Sequence, residues 1–115
     1  MTVSTHVLDA TAGVPAAGVA VSLSYLHGAG GPDGAWVPAG SGETGADGRH
    51  RFAAATEAGV YRLTFGTGAY FAARGVATFY PEVTVTFSVS DSVSDGHYHV
   101  PLLLSPFAYS TYRGS

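Results

Sequence analysis

Two histidines one residue apart, His97 and His99, open the densest polar and aromatic stretch of this chain, and a third, His6, sits in the first strand-like segment. Imidazole is the side chain whose ordinary pKa lies nearest neutrality, so histidines gathered on one surface suit proton transfer at physiological pH. Arg49 adds a permanent charge and a planar fork of donors at a sheet end. The chain ends on Tyr112, Arg113, Gly114 and Ser115, which read as a continuing strand. A free C-terminus ordinarily frays, so something must hold this one.

In a strand, side chains at i and i+2 share a face. By that parity His97, His99, Pro101 and Leu103 point one way, while Tyr98, Val100, Leu102 and Leu104 point the other and form the core. In the first strand Ser4, His6 and Leu8 stand against Val3, Thr5 and Val7; in the last, Ser110, Tyr112 and Gly114 share a side. These non-core faces carry polar groups where a merely solvated surface more often shows Lys, Glu or Arg. A lone histidine there is usually solvated or structural. The combination of His6, His99 and Tyr112 with an arginine at a sheet end is what points to an active site.

Other chemistries are weaker. His97 and His99 share a face and form a possible metal-ligand pair, but the nearest carboxylates, Asp91 and Asp95, lie in a loop and read as turn formers. Asp9, just after the first strand, reads as a turn or cap residue rather than a general base. No Gly-x-Ser-x-Gly elbow precedes a helix, which disfavours a serine nucleophile. No phosphate-cradling glycine motif is present either.

The elements that must position these residues are mostly strands. Segments rich in Val, Thr, Tyr and Phe recur between Gly, Pro and Asp clusters, the pattern of an antiparallel sandwich or barrel. Strands are expected at Val3–Asp9, Val19–Leu26, Trp36–Thr44, Arg49–Ala53, Val60–Thr67, Glu82–Ser88, His97–Leu104 and Ala108–Ser115, enough for two four-stranded sheets. Gly28–Gly34 is expected to be a mobile loop. Asp47-Gly48 reads as a tight hairpin turn that presents Arg49 at a sheet end. One short helix is expected over Thr67–Gly75, with Thr67 as N-cap and Gly75 as stop. Nothing suggests a repeat or a second domain, so residues 1–115 read as one.

Composition narrows the setting. No cysteine is present, which excludes a disulfide framework and a thiol nucleophile and fits an intracellular, cytoplasmic protein. All five basic residues are scattered arginines and the net charge is -3, so no stripe exists to neutralise nucleic acid. Charged residues make up only 11% of the chain, well under the usual quarter, which suggests that outer surface is covered by other copies. No apolar run approaches the length of a membrane span, nor does a signal peptide or peroxisomal tail appear.

The segment from His97 to Ser115 resembles the C-terminal signature of the 5-hydroxyisourate hydrolases, the transthyretin-related enzymes of urate breakdown. Ser4 to Asp9 with Gly13, Pro15 and Ala16 resembles the opening motif of that family, and Asp47, Gly48 and Arg49 its central one. Tyr70 and Phe71, then Phe79 to Val83, resemble a third block. Ala108 stands where the signature usually has glycine, and Tyr80 where phenylalanine is frequent.

The resemblance implies a transthyretin-like sandwich of two four-stranded antiparallel sheets with one short helix, assembled as a homotetramer, a dimer of dimers, with sites in a channel between subunits. It implies hydrolytic opening of the six-membered ring of 5-hydroxyisourate, a small-molecule substrate, with no metal and no cofactor. His6, Arg49, His99 and Ser115 match the catalytic positions; His6, Arg49, Tyr112, Arg113, Gly114 and Ser115 match the substrate-binding ones. His99 is then the base that activates water, His6 orients and shuttles a proton, and Arg49 meets the developing oxyanion. The two histidine roles are exchangeable at this point. The rival is a carrier that binds aromatic ligands without turnover; a purely structural sandwich would tolerate change at all these positions.

Overall fold

The computed structural model of the chain describes residues 2–27, 34–52, 58–90 and 96–114. Along them run β1 (Thr2–Asp9), β2 (Val14–Pro15), β3 (Ala20–His27), β4 (Ala35–Glu43), β5 (Arg49–Phe52), β6 (Gly59–Phe65), α1 (Thr67–Ala72), β7 (Val83–Val89), β8 (His97–Ser105) and β9 (Ala108–Thr111). No helix among the described residues is long and apolar enough to cross a membrane.

The strands form two sheets. One runs β2-β1-β8-β9, with β5 also paired to β1; the other runs β4-β3-β6-β7. β5 and β2 share β1 end to end: Val3 to His6 oppose Phe52 to Arg49, and Leu8 and Asp9 oppose Pro15 and Val14. The expected sandwich with one short helix is therefore present, with two differences. The very short β2 makes the first sheet five-stranded, and β1 pairs with β8 in parallel.

Strand parity decides what is buried. β1 alternates between buried Val3, Thr5, Val7 and Asp9 and half-exposed residues between them, and β8 buries Tyr98, Val100, Leu102 and Leu104. These meet Val21, Leu23, Tyr61, Leu63, Phe65 and Val83 of the second sheet in one apolar cluster, closed at an end by Tyr70 and Phe71 of α1. Buried polar atoms mostly have partners, as their desolvation requires. The Thr5 hydroxyl donates to Val100 O at 2.6 Å. Asp9 accepts from the Thr11 and Ala12 N–H groups at 3.1 and 3.0 Å and from the Tyr70 hydroxyl at 2.9 Å, so it forms a turn as expected.

Three local expectations change. The helix is shorter than 67–75, and its N-cap is Gly66, with no side-chain capping bond. Thr67 instead turns into the core, where its hydroxyl is buried with no partner among the described residues. Gly75 does end the helical stretch, at φ 68, with Val76 N–H donating to Phe71 O at 3.0 Å in a Schellman-type closure.

The Asp47-Gly48 turn is tight, since Gly45 N–H donates to Arg49 O and Gly48 N–H to Gly45 O, each at 2.9 Å. It does not close a hairpin, however: β4 belongs to one sheet and β5 pairs with β1 in the other. Gly48, at φ +79, passes so close to β1 that a Cβ would stand 2.4 Å from Val7 O. The turn thus carries Arg49 from one layer to the next.

The last strand stops at Thr111 rather than running on to Ser115. The expected Gly28–Gly34 loop lies, but for Gly34, outside the described residues, as does Ser115.

Candidate active site

The outer face of β1, β5 and β8 collects the polar residues. In the antiparallel β1–β5 register His6 stands opposite Arg49, and Ser4 opposite Arg51; in the parallel β1–β8 register Ser4 stands beside His99 and Thr2 beside His97. All share the parity that turns away from the core. Ser4, Arg49, Arg51, His97 and His99, with Asp47 at the rim, line an open cleft of about 320 Å³.

His99 is partly buried, with Nδ1 2.8 Å from Ser4 Oγ. Its pKa is held below the ordinary imidazole value, first by burial and then by the positive fields of Arg49, His97 and His6; a hydrogen bond to the Ser4 backbone acts in the opposite direction. Burial and like charge both disfavour the imidazolium and favour the neutral ring. Arg49 is exposed, and its backbone N–H donates to Asp47 Oδ1 at 3.0 Å. Among the described residues no carboxylate neutralises its guanidinium, which leaves it available to an anionic or electron-rich group.

The C-terminal tail reaches this site in the register of β9, across an interruption at a proline. β8 is a central strand, and Pro101 within it has no N–H to give. The Leu102–Thr111 register sets Pro101 against Tyr112, and there the ladder breaks; the Thr111 hydroxyl donates to Pro101 O at 2.7 Å instead. Pairing resumes two residues later, where Gly114 N–H donates to His99 O at 2.9 Å. Tyr112 is exposed. Arg113 lies with its guanidinium 4.6 Å over the Tyr98 ring, a residue of the core-facing set. Both border a smaller apolar pocket of about 230 Å³ that Phe87, Val100 and His99 also line.

His6, Arg49 and His99 are therefore brought together on one sheet face, with Gly114 against His99. Arg113 turns to the other side of β8. His97, weighed at first only as half of a metal pair, has both ring nitrogens on hydroxyls: Nδ1 bonds Thr2 Oγ1, and Nε2 lies 2.9 Å from Ser4 Oγ. Among the described residues no cluster of three or more potential metal ligands forms. Ser4 and Arg51 were not singled out from the sequence. The parity that groups Ser4 with His6 and Arg51 with Arg49 was the signal that could have found them.

The HIUase/Transthyretin family model matches residues 3–114. The 5-hydroxyisourate hydrolase of Salmonella typhimurium is 44% identical over 115 residues, covering 97% of this chain and 79% of its own length. The uric acid degradation bifunctional protein TTL of Arabidopsis thaliana is 42% identical over 126 residues; the alignment covers 98% of this chain but only 37% of that longer protein. Among solved structures, Klebsiella pneumoniae 5-hydroxyisourate hydrolase superposes with a TM-score of 0.83 at 40% identity over the whole of both chains. Transthyretin from Sparus aurata superposes at 0.84 and 36% identity, covering 97% of this chain and 95% of that one.

Proposed function

This chain belongs to the HIUase/Transthyretin family and within it is a hydrolase acting on 5-hydroxyisourate in urate degradation, and we propose that His99 activates the attacking water while Arg49 receives the charge that builds on the attacked carbonyl oxygen. Water adds to the ring carbonyl, the carbon–nitrogen bond breaks, and the nitrogen departs with a proton. The product, 2-oxo-4-hydroxy-4-carboxy-5-ureidoimidazoline, carries the new carboxylate. No electrons are transferred, so the reaction calls for no cofactor.

The observation that carries this reading is the register that faces His6 with Arg49 beside a half-buried, neutral His99. A neutral imidazole takes the proton of water; a fixed guanidinium stabilises the oxyanion without reorganising. His6, on the same face, orients the water and returns a proton to the leaving nitrogen. By resemblance to the family, Tyr112 and Ser115 are assigned to substrate binding; Gly114 gives the tail room against His99, and Arg113 anchors the tail through Tyr98.

The functional unit is taken as one transthyretin-like domain, residues 1–115, acting in the cytoplasm. Phe79, Phe107 and Tyr112 are exposed aromatics at 73%, 68% and 57%, on a chain with few charges. Surface of that kind supports a homotetramer, a dimer of dimers, in which partner copies cover it.

A carrier is the second reading, favoured by the apolar pocket beside Tyr98 and Phe87. Generating 5-hydroxyisourate in situ from urate and following its ultraviolet decay separates the two. The hydrolase accelerates the decay in proportion to enzyme. An unchanged decay with an aromatic ligand retained would establish the carrier instead.

A further inference from the structure

A run of hydrogen bonds along β1 and β8 goes unused in the chemistry just described. Thr2 Oγ1 bonds His97 Nδ1, His97 Nε2 lies 2.9 Å from Ser4 Oγ, and the same oxygen lies 2.8 Å from His99 Nδ1. The parallel register places both hydroxyls beside both rings, which lie 16° from parallel with centroids 6.4 Å apart. We infer that Ser4 and His97 are positioning residues for His99: through the shared Ser4 hydroxyl they hold its proton on Nδ1 and leave the Nε2 lone pair free for water. The inference rests on the reading of His99 as base.

Two opposite proton arrangements satisfy this run, and one of them frees Nε2 of His99. Ser4 Oγ carries one hydrogen and can donate to only one of its two imidazoles. With His97 neutral and its Nδ1–H donated to Thr2, its Nε2 accepts from Ser4, and the Ser4 oxygen accepts from His99 Nδ1–H. The His97, Ser4 and His99 protons are then all donated within the run, the Thr2 hydroxyl hydrogen is left to bond outside it, and Nε2 of His99 keeps its lone pair. The nitrogen that carries the proton in a neutral histidine is set by the bond made at the other.

Protonating His97 reverses the run. Its Nε2–H then donates to Ser4, the hydroxyl turns to donate to His99 Nδ1, and neutral His99 must carry its proton on Nε2, where it cannot take one from water. His97 is exposed, so bulk pH reaches it. The other titratable or charged groups facing the pair are His6 on β1, Asp47, Arg49, His50 and Arg51 around β5, and Tyr112 and Arg113 on the tail. Among the described residues only Ser4 bonds His99 Nδ1.

Long-range proton–nitrogen spectra of ¹⁵N-histidine-labelled protein read the tautomer directly. Wild type is expected to show neutral His99 protonated on Nδ1, and Ser4→Ala to move population to Nε2. Ser4→Ala should lower kcat roughly 10–100-fold, as loss of a group orienting a working imidazole does, with KM little changed; Ser4→Thr, which keeps the hydroxyl, should recover most of it. The acid limb of kcat/KM should be steeper than one proton in wild type and fall to one in His97→Ala. Wild-type His99 protonated on Nε2, or an unchanged rate and acid limb in Ser4→Ala, overturns the inference. A His99→Asn variant at wild-type rate would instead overturn the base assignment, and the tautomer spectra tell the two failures apart.

Discussion

Gly114 lies flat against the ring of His99: its N–H donates to His99 O at 2.9 Å, and a Cβ built on it would stand 2.5 Å from His99 Cδ2. The tail can approach the candidate base only because that position has no side chain. Tail and base are thus one structural unit, although Pro101 interrupts the ladder between them.

Gly114→Ala should therefore push the tail away from β8. An overpacked contact of this kind costs about 1–3 kcal/mol, more than a single backbone bridge contributes, so the Gly114 amide should lose protection while the global melting temperature barely moves. Hydrogen-exchange protection of the tail and kcat/KM, measured together, should fall together.

His99→Asn should reduce ring opening by about 10²–10⁴-fold, the range expected on losing a general base. Its ring lies on the outer face, away from the buried cluster, so thermal unfolding should be near that of wild type. A loss of rate matched by a loss of fold would argue against the assigned role.

Arg49→Ala should lower kcat about 10²–10³-fold, as removal of an oxyanion donor does. Arg49→Lys keeps the charge but not the fork and should fall between the two. Steady-state kinetics on all three proteins would show that order.

An NMR titration of His99 should give a midpoint below the ordinary imidazole value of 6.5. Arg49→Ala should move it upward by removing one of the positive fields. Because the unfolded chain protonates this residue first, its contribution to stability is full above the ordinary value and is lost as pH falls towards the folded one. Urea midpoints recorded across that window should decline accordingly.

Thr67→Val should hold or raise stability, by up to roughly 1 kcal/mol, because it replaces a buried hydroxyl that has no partner among the described residues with a methyl group of the same shape. A lower urea midpoint would show that the hydroxyl has a partner in solution.

The two-sheet sandwich, the strand faces and the candidates His6, Arg49 and His99 were legible in the sequence. Side-chain alternation is a local property with a period of two, so Val3, Thr5 and Val7 could be set against Ser4 and His6 without knowing any neighbour. The capping role of Thr67 was misread because burial of its side chain overrode local propensity. The Asp47-Gly48 hairpin was misread because a tight turn does not reveal which sheet the next strand will join.

By itself the sequence determined which side of each strand is polar, and its motifs resembled one family from end to end. Only the tertiary structure decided that β1 would lie between β5 and β8, in registers that put His6 opposite Arg49 and Ser4 between His97 and His99. Pairing is non-local, and a slip of one residue would have turned every one of these side chains to the other face.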